Sequence, residues 1–267
     1  MLAVFIAVSC AVAVGVCCSV FAGLGIAWCL TWGVLTFVLI QISIGLVVRK
    51  KVMIISNKIQ EVLLEGQKKI NRKIQMFQRK PQGGLKQMQK ILEKDQAEFI
   101  KEALETVEQL APYCKWNFLI SKQMNSMRMQ FNFQLKKFDK VDELLNKALY
   151  SEPMAVAMKM TRQYHNEDPK LEKTFNKYRK KFKGEQSVLL YALYAWILIK
   201  QDKVDEALKL LSAGKEETGN DVLEQNWKNV ANGKIKKFSN AGLGEQWYAL
   251  YLEEPKQPKA RQQRAMF

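Results

Sequence analysis

The first 48 residues of this chain contain no lysine, arginine, aspartate, glutamate or histidine. A water-facing surface cannot be built from such a stretch, because exposed positions are where charge normally lies. Histidine is scarce throughout: His165 alone is present, in a loop before Asn166, Glu167 and Asp168. One histidine with no nucleophile signature beside it makes a poor general base. Of five cysteines, Cys10, Cys17, Cys18 and Cys29 fall in the apolar stretch and only Cys114 lies outside. No CxxC and no zinc spacing occurs, so the four cysteines of the apolar stretch read as small apolar side chains, with a disulfide or palmitoylation role as the alternative. P-loop, GxSxG and HExxH signatures are absent too. The expectation is a protein that is not an enzyme, with no cofactor and no metal.

What is there begins with the apolar run. As one helix, 48 residues would extend about 72 Å, against a bilayer core of about 30 Å. Two spans with a turn at 22–25 fit better, the first over 2–21 and the second over 27–48. Trp28 and Trp32 then lie near the start of the second span, where interfacial tryptophans belong. A cleaved leader would need a basic n-region and a shorter core. Arg49, Lys50 and Lys51 follow the second span at once, which keeps that end cytoplasmic. The expected layout is a two-span membrane protein of a bacterial inner membrane, with both ends and the remaining 219 residues in the cytoplasm.

The formal net charge of +16 is uneven. Residues 49–80 hold ten basic and two acidic side chains, and 255–267 hold four basic and no acidic ones. Within 49–84, Val52, Ile55, Ile59, Val62, Ile70, Ile74 and Phe77 recur at helical spacing, with a gap around Gly66. The stripe suits a basic amphipathic helix on anionic lipid, each cation contributing about 1 kcal/mol near the surface. Candidate lipid contacts are Arg49, Lys50, Lys51, Lys58, Lys68, Lys69, Arg72 and Lys73. The same stripe also suits packing on a second copy. No nucleic-acid motif accompanies the charge.

The stretch 80–84, KPQGG, breaks the helix and marks a boundary. Beyond it the pattern is helical, with breaks at Pro112, Pro153, Pro169, Gly184, Gly214 and Gly219. The pentapeptide DKVDE occurs at 139–143 and again at 202–206, 63 positions apart. Each copy lies between two apolar helices. Its first Asp reads as an N-cap, and its second Asp and Glu read as first-turn acids. It is turn chemistry inside an αα-hairpin.

Residues 191–214 carry a family resemblance. Ala195 with Tyr194 and Leu198, then Ala207 with Leu211 and Gly214, resemble the small and large positions of the tetratricopeptide (TPR) repeat. In the earlier copy Asn132 and Leu144 replace the small residues. The resemblance implies an all-α fold, a transmembrane hairpin followed by a degenerate TPR-like array of αα-hairpins. It also implies a partner-binding groove at Met129, Phe133, Lys136, Lys137, Leu189, Ala192, Trp196, Ile199 and Lys200. The layout also resembles a bacterial haem-pathway-associated family of membrane TPR proteins, without any haem-ligand arrangement. Four segments are expected: hairpin 1–48, basic helix and hinge 49–84, helical repeats 85–254 and a basic disordered tail 255–267. The expected function is a membrane-anchored scaffold that recruits a protein or peptide partner to the cytoplasmic face, in contact with membrane lipid. The alternative is a self-associating, lipid-contacting structural membrane protein without a dedicated soluble partner.

Overall fold

The computed structural model describes residues 2–21, 25–79 and 85–255, and every regular element among them is helical. The expected turn residues 22–24, the hinge 80–84 and the tail 256–267 lie outside the described residues. The chain forms two compact units, Met1–Leu149 and Tyr150–Phe267, so the division falls inside the segment expected as one repeat domain.

In the first unit, α1 (Leu2–Phe21) pairs with the start of α2 (Ile26–Arg79). Both helices are long and apolar enough to cross a membrane. Small residues let them close: a Cβ on Gly33 would stand 3.4 Å from the Ala11 carbonyl oxygen. Most of their large apolar side chains face outward, Phe5 at 72% and Trp28 at 63% exposure. Hydroxyls in these two helices bond backward within their own helix, Ser9 Oγ to the Phe5 carbonyl at 2.9 Å and Thr36 Oγ1 to that of Trp32 at 2.8 Å. That satisfies their polarity without water, as a hydrocarbon environment requires.

Helix α2 does not stop at Arg49. It continues unbroken for 54 residues, about 80 Å. Its outer half packs on α3 (Leu85–Glu108). Ile59 of α2, Ile100, Ala103 and Val107 of α3, and Met124 and Phe131 of α4 (Phe118–Gln134) form one buried cluster. Val52, Ile55 and Val62 pack against its edge. The gap at Gly66 is filled by the Phe99 ring of α3. A 3-10 turn at Ala111–Lys115 leads into α4, and α5 (Phe138–Leu144) packs back on α4.

The second unit holds α6 (Pro153–His165), α7 (Leu171–Arg179), α8 (Val188–Lys200), α9 (Val204–Thr218), α10 (Asp221–Ala231) and the short α11 (Glu245–Tyr248). Helix α8 is its centre, with Leu190, Tyr191, Leu193 and Ile197 fully buried. The expected break at Gly214 does not occur. Gly214 lies within α9, where a Cβ would stand 3.0 Å from the Tyr191 ring. The chain turns at Gly219, whose φ of +63° is easy only for glycine.

Helices α4, α6, α8 and α10 begin at Phe118, Pro153, Val188 and Asp221, a spacing of roughly 34 residues. All four end in the same way. Lys136, Glu167, Asp202 and Gly233 take φ between 51° and 68°. The next N–H then donates to a helix carbonyl five residues back: Lys137 to Asn132 at 2.9 Å, Asp168 to Gln163 at 2.8 Å, Lys203 to Leu198 at 2.9 Å, Lys234 to Asn229 at 2.8 Å. This is the Schellman closure. It corrects the reading of DKVDE. Asp139 lies inside α5 and Asp202 is the left-handed cap residue, so neither is an N-cap. The closure aligns Lys136 with Asp202, which puts the two pentapeptides three residues out of step. Met129 and Val141, not Asn132 and Leu144, therefore stand opposite Ala195 and Ala207.

Candidate functional site

The cations of α2 are outward-facing. Arg49, Lys50, Lys51, Lys58, Lys68, Lys69 and Arg72 are exposed, and Lys73 is half-buried in an ion pair with Asp95 of α3. Much of the apolar stripe is occupied: Ile59 is buried in a cluster with α3 and α4 side chains, Val52, Ile55 and Val62 pack against it, and Ile70 is buried as well. Distance separates the cations as well. The unbroken helix carries Lys68–Arg72 some 30 Å along its axis from Arg49. The screening length is about 8 Å at physiological salt. Arg49, Lys50 and Lys51 directly follow the apolar half of α2, while Lys68, Lys69, Arg72 and Lys73 lie far along the same helix.

The expected groove divides between the two units. In the first, Met129 and Phe133 are fully buried, and the Phe133 ring meets Phe138 edge-on at 5.6 Å. Lys136 and Lys137 are exposed. In the second, Leu189, Ala192 and Trp196 are buried, Ile199 is half-buried and Lys200 is exposed. The buried five are core residues and cannot line a groove, because aromatic and aliphatic side chains at helical spacing close the hairpins first. Only the three lysines, with part of Ile199, keep a surface role.

Trp196 instead belongs to a cluster that the sequence did not reveal. Its ring meets Tyr164 at 5.6 Å and Trp247 at 6.0 Å, both edge-on. Its Nε1–H donates to Glu253 Oε1 at 2.8 Å, and Trp247 Nε1–H donates to Oε2 of the same carboxylate at 2.8 Å. One carboxylate thus satisfies two indoles and ties Glu253 to α8. A second polar clamp lies beside it. Asn226 Nδ2 donates to Asn240 Oδ1 at 2.8 Å, and Asn240 Nδ2 donates to the Ala192 carbonyl at 3.0 Å, both residues buried. Neither arrangement offers a free reactive group.

Titration behaviour agrees with a structural role. Burial pushes the Tyr194 phenol up to about 12, with Glu172 and Glu206 adding to the effect. Burial also raises the Cys114 thiol, the opposite of nucleophile activation. Cys10, Cys17, Cys18 and Cys114 are free thiols. Among the described residues no group of three His, Cys, Asp or Glu could hold a metal ion.

No family model, no curated protein and no solved structure matches this chain.

Proposed function

We propose that the chain is a membrane-anchored helical-repeat scaffold that recruits a protein partner to the cytoplasmic face of a membrane. The observation that carries this reading is the recurrence of one hairpin closure at Lys136, Glu167, Asp202 and Gly233, behind two apolar helices. Helical hairpins repeated at TPR-like spacing form surfaces for peptides and partner helices rather than reaction centres. Arg49, Lys50 and Lys51 orient the hairpin with its ends in the cytoplasm. Each unit presents exposed positive charge of its own, Lys136 and Lys137 in the first and Lys200 in the second, which suits acidic partner segments.

The test is affinity purification of the full-length chain from its membranes in mild detergent. A charge-reversed variant, Lys136→Glu with Lys137→Glu and Lys200→Glu, is the control, and its helicity is checked by circular dichroism. A protein retained by the wild type and lost by the folded variant supports recruitment. Retention of nothing beyond the chain itself removes it.

A second reading rests on the groove between α1 and α2. It measures about 470 Å³ and is lined by Ala11, Gly15, Gly33 and larger apolar residues. Small residues on a lipid-facing surface allow close lateral packing of helices. Under this reading the chain self-associates through its hairpin, and an untagged copy co-purifies with a tagged one.

A further inference from the structure

We infer that the corner entering α4, with Phe118 and Leu119 at its tip, inserts into the cytoplasmic leaflet as a second membrane contact. The inference rests on the reading that α1 and α2 span the membrane. A cleft of about 390 Å³ brings Gly45, Val48 and Val52 of α2 against Asn117 and Leu119. These α2 residues bracket Arg49 within one or two turns, so the corner lies level with the end of the span. Its tip is apolar and open: Phe118 is 62% exposed and Leu119 53% exposed. A bulky apolar pair open to water is costly, and at this height lipid is the neighbour that covers it.

The corner is built to hold that shape. Asn117 is extended and its Oδ1 accepts the Leu119 N–H at 2.8 Å, which fixes the first turn of α4. Lys122 stands over the Phe118 ring, its Nζ 4.4 Å from the centroid, and Lys115 precedes the corner. Apolar tips flanked by lysines are the composition of interfacial anchors. Helix α4 then leads away, since Ile120 lies near the corner while Phe131 joins Ile59 in the buried cluster. The corner and Arg49, Lys50 and Lys51 together give the first unit two points of support on one leaflet, which restricts rocking about the hairpin.

The test is photo-crosslinking of the full-length chain in its membranes. Phe118→p-benzoylphenylalanine and, separately, Leu119→p-benzoylphenylalanine place the probe on exposed positions. Lys140→p-benzoylphenylalanine, on exposed α5 at the far end of α4, is the control. Mass spectrometry should find lipid adducts at 118 and 119 and none at 140. Adducts to protein at 118 and 119, whether to a second copy or to another chain, would overturn the proposal, as would equal lipid adduction at 140. Alkaline carbonate extraction of the same membranes separates two failures. A chain that resists extraction but gives no lipid adduct at 118 or 119 overturns the insertion alone. A chain that carbonate removes overturns the spans and the insertion with them.

Discussion

Gly66 is where α2 admits α3. A Cβ at this position would lie 2.3 Å from Cγ of Phe99 and 2.5 and 2.8 Å from its two Cδ atoms. Separations below 3.0 Å do not persist, and Cγ is the root of the ring, so relief requires a new Phe99 rotamer or a shift of α3. Alanine normally stabilises a helix interior over glycine by about 0.5–1 kcal/mol. Overpacking of this kind costs about 1–3 kcal/mol. Gly66→Ala should therefore lose about 0.5–2 kcal/mol net. For a unit of this size that is a fall in Tm of about 1–8 °C. The assay is thermal unfolding of the full chain in detergent, with hydrogen exchange of α2 and α3 as the local readout. In a Phe99→Ala background the clash is gone, and Gly66→Ala should become neutral or stabilising by up to about 1 kcal/mol. A wild-type background in which Gly66→Ala raises Tm, or a cycle that is additive, would refute the packing of the stripe on α3.

Other perturbations have defined outcomes. Glu253→Ala leaves the Trp196 and Trp247 Nε1 donors without their acceptor, a loss of about 2–4 kcal/mol from two buried unpaired groups. Denaturant midpoints and a shifted tryptophan emission should report it, with Glu253→Gln milder because one acceptor oxygen remains. Lys136→Gly relieves a φ of 57° and should stabilise by up to about 1 kcal/mol, visible in the thermal midpoint, whereas Lys140→Gly inside α5 should destabilise. The Asp168 carboxyl is held below its ordinary value of 3.8, first by the hydrogen bond from Gln163 and then by the Lys170 N–H. Its contribution is full above that ordinary value and is lost as pH falls through the lowered native one. Asp168→Asn should flatten the acid side of the stability profile below pH 3.8 and leave neutral pH little changed in slope.

The two long apolar helices were legible because charge is absent over more than a helix length. The helical character of the rest was legible from composition and from Pro and Gly breaks, apart from Gly214, where a ring on α8 needed the space. The stripe on α2 was legible as a face, but periodicity does not say what covers a face; α3, later in the chain, packs onto it. The repeat was legible only approximately. The identical letters of DKVDE recur at a 63-residue offset, while the backbone repeats on its left-handed closures, where Lys, Glu, Asp and Gly all occur. The groove assignment failed at Phe133 and Trp196 because large aromatics at helical spacing serve the core as readily as a surface. The Glu253 clamp joins residues 57 positions apart, and no local pattern encodes such a pairing.

Recruitment at a membrane requires that the helical hairpins stand on the cytoplasmic side of a bilayer the chain cannot leave. Protease digestion of sealed vesicles, inverted and right-side-out, tests that requirement directly. The expected result is cleavage of the lysine-rich region beyond Arg79 in inverted vesicles only, with an apolar fragment containing α1 and the first half of α2 retained in the membrane in both. Cleavage of that region in right-side-out vesicles, or release of the whole chain by carbonate before digestion, would contradict the proposed anchoring and the scaffold role that depends on it.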